Sequence, residues 1–122
     1  MPQVVRALRG ATTTEADTPE QITSRTNELL AAVLEQNGAH LDDLISVLFT
    51  ATSDLTSMFP ATAARELGFG EVPLLCATEI EVPGSTPRCI RVMLHLHTAK
   101  SRSELHHVYL HGAKGLRDDL PD

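Results

Sequence analysis

Five stretches of the chain read as extended and two as helical from the placing of apolar residues alone. Val4-Val5-Arg6-Ala7-Leu8-Arg9-Gly10-Ala11 predicts a first strand. Side chains alternate along a strand, so Arg6 and Arg9, three apart, fall on opposite faces. Thr18-Pro19-Glu20-Gln21 predicts a helix start, with Thr18 as cap, Pro19 in the first turn and Gln21 completing a capping box. Ile22, Leu29, Leu30, Val33 and Leu34 then recur near helical period up to Gln36, and Asn37-Gly38 ends the run. After a short link at His40–Asp43, Leu44 to Thr52 is almost continuously apolar, which predicts a strand covered on both faces.

A polar loop follows, Ser53 to Met58. Phe59-Pro60 opens a second, short helix over Ala61–Leu67, stopped by Gly68. Val72 to Val82 reads as a third extended segment. Cys76 and Glu79 lie three apart within it, so a bend is needed to bring them to one side. Pro83 to Pro87 is a turn cluster. Cys89 to His97 is the strand with the clearest alternation: Ile90, Val92, Leu94 and Leu96 on one face, Cys89, Arg91, Met93, His95 and His97 on the other. Ser103 to His111 predicts a last short strand, with His107, Tyr109 and His111 on one face. Gly112 to Arg117 is a loop, and an acidic tail runs from Asp118 to Asp122.

The second face of the Cys89–His97 strand poses a chemical question. Arg91 sits between a thiol and a thioether and cannot give up its charge, so it needs water or an anion opposite it. A solvated sheet face would serve as well as a bound anion if this strand stood alone.

Length and composition narrow the classes. A chain of 122 residues fits one domain, spanning 1–122, and can bury a core without disulfides. Aromatics are only Phe49, Phe59, Phe69 and Tyr109, so the core must be built from Leu, Val, Ile and Ala. A net charge of −6 and few stacking rings argue against nucleic acid as a partner. No apolar run is long enough to span a membrane, and the N-terminus lacks the apolar stretch of a signal peptide. Two cysteines, Cys76 and Cys89, make no disulfide framework; reduced thiols in the cytoplasm are the simplest reading.

Six histidines invite a metal, but no carboxylate or cysteine stands at a recognised ligand spacing around them, so no metal is expected. No Gly-x-Gly-x-x-Gly or Walker loop suggests a nucleotide cofactor. Neither cysteine has a local histidine base and oxyanion loop, so both read as small apolar fillers. Arginines beside strand ends remain: Arg9, Arg65, Arg91 and Arg117, with Tyr109, Glu79 and Cys76 among them. Guanidinium groups read carboxylates in a planar, bidentate manner, so several around one hollow suit a small dicarboxylate. An enzyme built this way works by positioning and electrostatics, with no covalent step.

The ordered set Arg9-Gly10-Ala11-Thr12-Thr13, Ala51-Thr52-Ser53-Asp54-Leu55, Phe59-Pro60-Ala61, Ala64-Arg65-Glu66-Leu67, Val72-Pro73, Cys76, Glu79, Cys89-Ile90-Arg91-Val92-Met93 and His107-Val108-Tyr109-Leu110 resembles the AroH-class chorismate mutases. Each motif is weak alone; their order over nearly the whole chain is specific. The resemblance implies an α+β chain, a mixed β-sheet with two helices on one side. It implies a homotrimer forming a pseudo-α/β barrel, with active sites between subunits. It implies a cofactor-free and metal-free Claisen rearrangement of chorismate to prephenate.

By that resemblance Arg91 faces the ether oxygen, Arg9 and Tyr109 hold the side-chain carboxylate, Glu79 accepts from the ring hydroxyl and Cys76 lies beside it. Phe59 and Ala61 line the wall, Arg65 and Arg117 come from the rim, and Leu116 closes over the substrate. Two positions depart from the family pattern. Thr62 is neutral where some relatives carry a basic residue, and Leu75 is apolar where a small polar residue is expected. A non-catalytic trimeric sensor of a small carboxylate would use the same arginines. The pairing of an ether-oxygen cation with Glu79 favours the enzyme.

Overall fold

Thr18 starts the one long helix. Its Oγ1 accepts from Gln21 N at 3.1 Å, and Pro19 leads helix α1, Pro19–Gln36. The return half of the expected capping box is diverted: the Gln21 carboxamide oxygen accepts from Glu15 N instead, at 3.1 Å. Ile22, Thr26, Leu29, Leu30 and Val33 form the buried stripe. Asn37 closes the helix and Gly38 follows at φ +58°, a left-handed turn that suits glycine. The computed structural model describes residues 2–116.

Among the described residues five strands form a single sheet: β1 (Val4–Thr13), β2 (Leu44–Ala51), β3 (Leu74–Thr78), β4 (Cys89–Thr98) and β5 (Val108–Tyr109), in the order β3-β2-β4-β1-β5. β4 runs antiparallel to both β1 and β2, while β3 and β5 pair in parallel at the two edges. The sheet is therefore mixed. Register sorts the side chains into rows across it. On one face Phe49, Val92, Gly10 and Val108 line up, and next to them Val47, Leu94 and Leu8. Helix α1 and the short helix α2 (Pro60–Ala64) cover this face through Leu29, Leu30, Val33, Ala61 and Ala64. Each fully buried Leu, Val or Phe there contributes about 1.5–3 kcal/mol through apolar burial. Gly10 is needed for the contact: a Cβ would stand 3.0 Å from Val108 O and 3.1 Å from Leu29 Cδ1.

The opposite face is covered at one end only among the described residues, where Ala113 and Leu116 pack with Ala11, Cys89 and Tyr109. Leu75, Leu48 and Met93 form an apolar row across three strands, 60%, 38% and 38% exposed. The expectation that β2 is covered on both faces thus fails within one chain. Its apolar run is real, but the residues that one chain fully buries along it are Val47 and Phe49, with Leu44 partly buried against the core.

Three other expectations are shortened. The third extended segment pairs only over Leu74–Thr78, because its partner β2 ends at Ala51, whose carbonyl takes the last bond from Glu79 N. The last strand shrinks to Val108–Tyr109, since His111 adopts φ +52° and starts a tight turn, leaving the face expected for Tyr109 and His107. The second helix leaves α-geometry after Ala64 and continues as a wider turn over Arg65–Phe69, broken by Gly68 at φ +119°. No helix among the described residues is long and apolar enough to cross a membrane.

Asp17 ties the entrance of α1 to the loop that leads into α2. Its carboxylate accepts from Thr56 N and Ser57 N, both at 3.0 Å, and from Thr56 Oγ1 and Ser57 Oγ at 2.8 and 2.6 Å. The Ser57 hydroxyl, with the other three donors, draws the carboxyl from an ordinary 3.8 down to about 2. A depressed folded-state value stabilises the protein above pH 4 and loses that contribution as pH falls from about 4 towards 2. Thermal melts across this range will show it: Asp17→Asn melts lower at neutral pH, and the gap to wild type narrows on acidification. A gap independent of pH contradicts the staple.

Candidate active site

β4 raises Arg91 on the uncovered face, in a row with Thr50 on β2, Ala11 on β1 and Tyr109 on β5. One row away, Arg9 stands opposite Met93. Arg9, Leu48, Thr50, Arg91, Met93 and Tyr109 enclose a half-open cleft of about 310 Å³. Two guanidinium groups, a phenol and an apolar floor therefore share one hollow. The alternation that separates Arg6 from Arg9 is what sends Arg9 here.

Arg91 is held from below and from the side. Cys89 is fully buried beneath it with Ala11 and Ala113. Burial drives the Cys89 thiol up to about 11, against the opposing pull of Arg91, so it is a neutral packing group. Glu79 follows the end of β3, anchored by Glu79 N donating to Ala51 O at 3.0 Å. Its Oε2 lies 3.1 Å from Arg91 Nε and accepts from Thr50 Oγ1 at 2.6 Å. Both contacts fall on one oxygen. The Arg91 side chain remains 42% exposed towards the cleft, so this pair orients a cation without removing it from use.

The other expected site residues stand elsewhere on the chain. Cys76 points to the helix side, beside Phe59 and Pro60, in a separate hollow of about 370 Å³. Burial pushes its thiol above the ordinary value, while the Ala61 N–H and the charge of Arg65 pull it back. Phe59 is 67% exposed, and Arg65 donates to Thr62 Oγ1 at 3.5 Å. The end of β3 brings Glu79 to Arg91 and leaves Cys76 facing α2. Leu116 packs with Tyr109 beside Cys89, on the Arg91 side. Arg117 lies outside the described residues.

Thr50 was missed in the sequence. It shares a face with Leu48, but nothing local announces that its partner is Glu79. The histidines are used singly: His95 meets Ser46 Oγ at 3.3 Å, His107 Nδ1 accepts from Arg9 N at 3.0 Å, and His111 reaches Glu28 at 2.7 Å.

A family profile described as chorismate mutase type I matches residues 5–120. The chain belongs to this family. It is 52% identical over 118 residues to chorismate mutase AroH of Thermus thermophilus, covering 96% of this chain and 97% of that one. It is 42% identical over 118 residues to chorismate mutase AroH of Bacillus subtilis, covering 96% and 93%. The solved chorismate mutase from Clostridium thermocellum superposes with a TM-score of 0.87 at 49% identity, over 89% of this chain and 97% of that one. The activity is that of a chorismate mutase, an isomerase of aromatic amino acid biosynthesis.

Proposed function

We propose that chorismate rearranges to prephenate in the Arg9–Arg91–Tyr109 cleft, completed by the Cys76 side of a second copy in a homotrimer. The observation that carries this is the oriented Arg91 guanidinium, braced by Glu79 and open to a hollow that holds a second cation. In the rearrangement the ether carbon–oxygen bond breaks ahead of carbon–carbon bond formation, and negative charge gathers on the ether oxygen. A fixed cation at that oxygen is worth more in the transition state than in the ground state. Arg9 and the Tyr109 hydroxyl bind the side-chain carboxylate and hold the folded conformer that can react. Glu79 Oε1, free of the contacts made by Oε2, accepts from the ring hydroxyl. Every atom of product comes from the substrate, so no step calls for a cofactor or metal. The reaction runs in the cytoplasm, where Cys76 and Cys89 stay as free thiols.

Assembly follows from what one chain leaves undone. Arg91 and Cys76 open onto different hollows of the same subunit. The apolar row Leu75–Leu48–Met93 lies bare beside the first. A ring of copies covers that row and brings the Phe59, Arg65 and Cys76 wall of one subunit, with Ala61 buried behind it, to the arginine cleft of the next. Leu75 then serves as interface surface, which suits its apolar character.

Mixing tests this. Arg91→Ala and Arg65→Glu each disable one half, and refolding the two together leaves about a quarter of sites with both halves native in a heterologous ring. Loss of the ultraviolet absorbance of the chorismate diene will therefore resume in the mixture. A mixture no faster than the sum of its parts contradicts the shared cleft. Light scattering should give three chains per particle.

A further inference from the structure

His107 Nδ1 accepts the backbone N–H of Arg9 at 3.0 Å, between residues 98 positions apart. The bond falls where β1 and β5 meet. Gly10 then pairs with Val108, Ala11 with Tyr109, Leu110 N donates to Ala11 O at 2.9 Å, and Gly112 N donates to Thr13 Oγ1 at 2.9 Å. The imidazole closes the first rung of this zipper, in the place a strand carbonyl would take. A paired strand of two residues is shorter than strands that hold register by their own ladder. The side chains at stake are Arg9 and Tyr109, one on each side of the zipper.

We propose that His107 is a positioning residue, which sets the spacing of Arg9 and Tyr109 by accepting the Arg9 N–H through Nδ1. This rests on the reading above that both residues hold the side-chain carboxylate. The imidazole touches no substrate atom. Its contribution is geometric: with the rung open, β5 slides against β1 and two ligands of one carboxylate no longer converge. Binding suffers more than the rearrangement itself, because Arg91 is braced separately by Glu79 on the far side of β4.

Side-chain geometry supplies the test. Asparagine Oδ1 stands the same number of bonds from Cα as histidine Nδ1, whereas glutamine Oε1 is one bond further out. Losing one hydrogen bond of this kind corresponds to roughly a tenfold change. His107→Ala should raise KM for chorismate about tenfold with kcat changed less than about threefold. His107→Asn should return KM to within about twofold of wild type, and His107→Gln should not. In an Arg9→Ala background His107→Ala should add less than about twofold, because the ligand it positions is gone. Thermal melts confirm that each variant is folded, and if His107→Ala is not, the Asn and Gln pair decides alone.

The proposal is overturned by a wild-type KM in His107→Ala, by Asn no better than Gln, or by full additivity with Arg9→Ala. Arg9→Ala alone separates the two readings. If it leaves KM unchanged, the carboxylate assignment fails; if it raises KM while His107→Ala does not, only the positioning role fails.

Discussion

Arg91→Ala will lose more than about a thousandfold in kcat, measured by the disappearance of chorismate absorbance with no cofactor added. Removing one preorganised donor at a developing oxyanion typically costs a hundred- to a thousandfold, or about 2.7–4 kcal/mol. The loss here should exceed that range. The other guanidinium lining the cleft, Arg9, lies a row away opposite Met93, and in the proposed mechanism it holds the carboxylate. Arg91→Lys should recover only part of the rate, since a compact ammonium lacks the planar fork that can lie beside Glu79 and still reach the ether oxygen. Turnover near wild type in Arg91→Ala would remove the cleft from the mechanism.

Phe49→Ala will destabilise the folded chain by about 3–5 kcal/mol, read from urea unfolding. Phe49 is 1% exposed and faces Val92 on β4, with Cys76 as its neighbour on β3. It is one of only three phenylalanines, so no other ring can move in to fill the space. Against a usual total of about 5–15 kcal/mol, the loss threatens folding itself. Leu48, the adjacent residue, faces the open side, and Leu48→Ala should cost less in unfolding than Phe49→Ala, its loss shrinking further as dilution separates the copies. Equal effects of the two substitutions on unfolding would contradict the two-faced sheet.

Much of this architecture was legible because alternation is a local property. Arg6 and Arg9, Ile90 and Arg91, Val92 and Met93 separate onto faces by counting alone, and the Thr18-Pro19 start of α1 is written in four residues. What stayed hidden depends on partners distant in sequence. The apolar run of β2 looks like a strand covered twice, yet sequence cannot say whether the second cover is the same chain or another. Thr50 gains its role from Glu79, and Gln21 gives its carboxamide to Glu15 where the cap motif promised Thr18. Cys76 and Glu79 were expected together. Each is placed correctly by the end of β3, but one turns to α2 and the other to Arg91. The family resemblance supplies the candidate residues and the expectation of sites between subunits; that Arg91 and Cys76 open onto different hollows of one chain follows from strand register, which counting along the sequence does not give.

The first strand to be made is flanked by the last two, with β1 lying between β4 and β5. Arg9 therefore waits for almost all of the described chain before it acquires either neighbour. Such long-range pairing is closed late and slowly, at the cost of a large loop entropy. During synthesis the growing chain can form α1 early but cannot seat β1, whose Val4, Val5 and Leu8 stay without strand partners. Folding and the appearance of activity should thus come together at the end, in one cooperative step, and any truncation ahead of Val108 leaves a chain with an open seam beside Arg9.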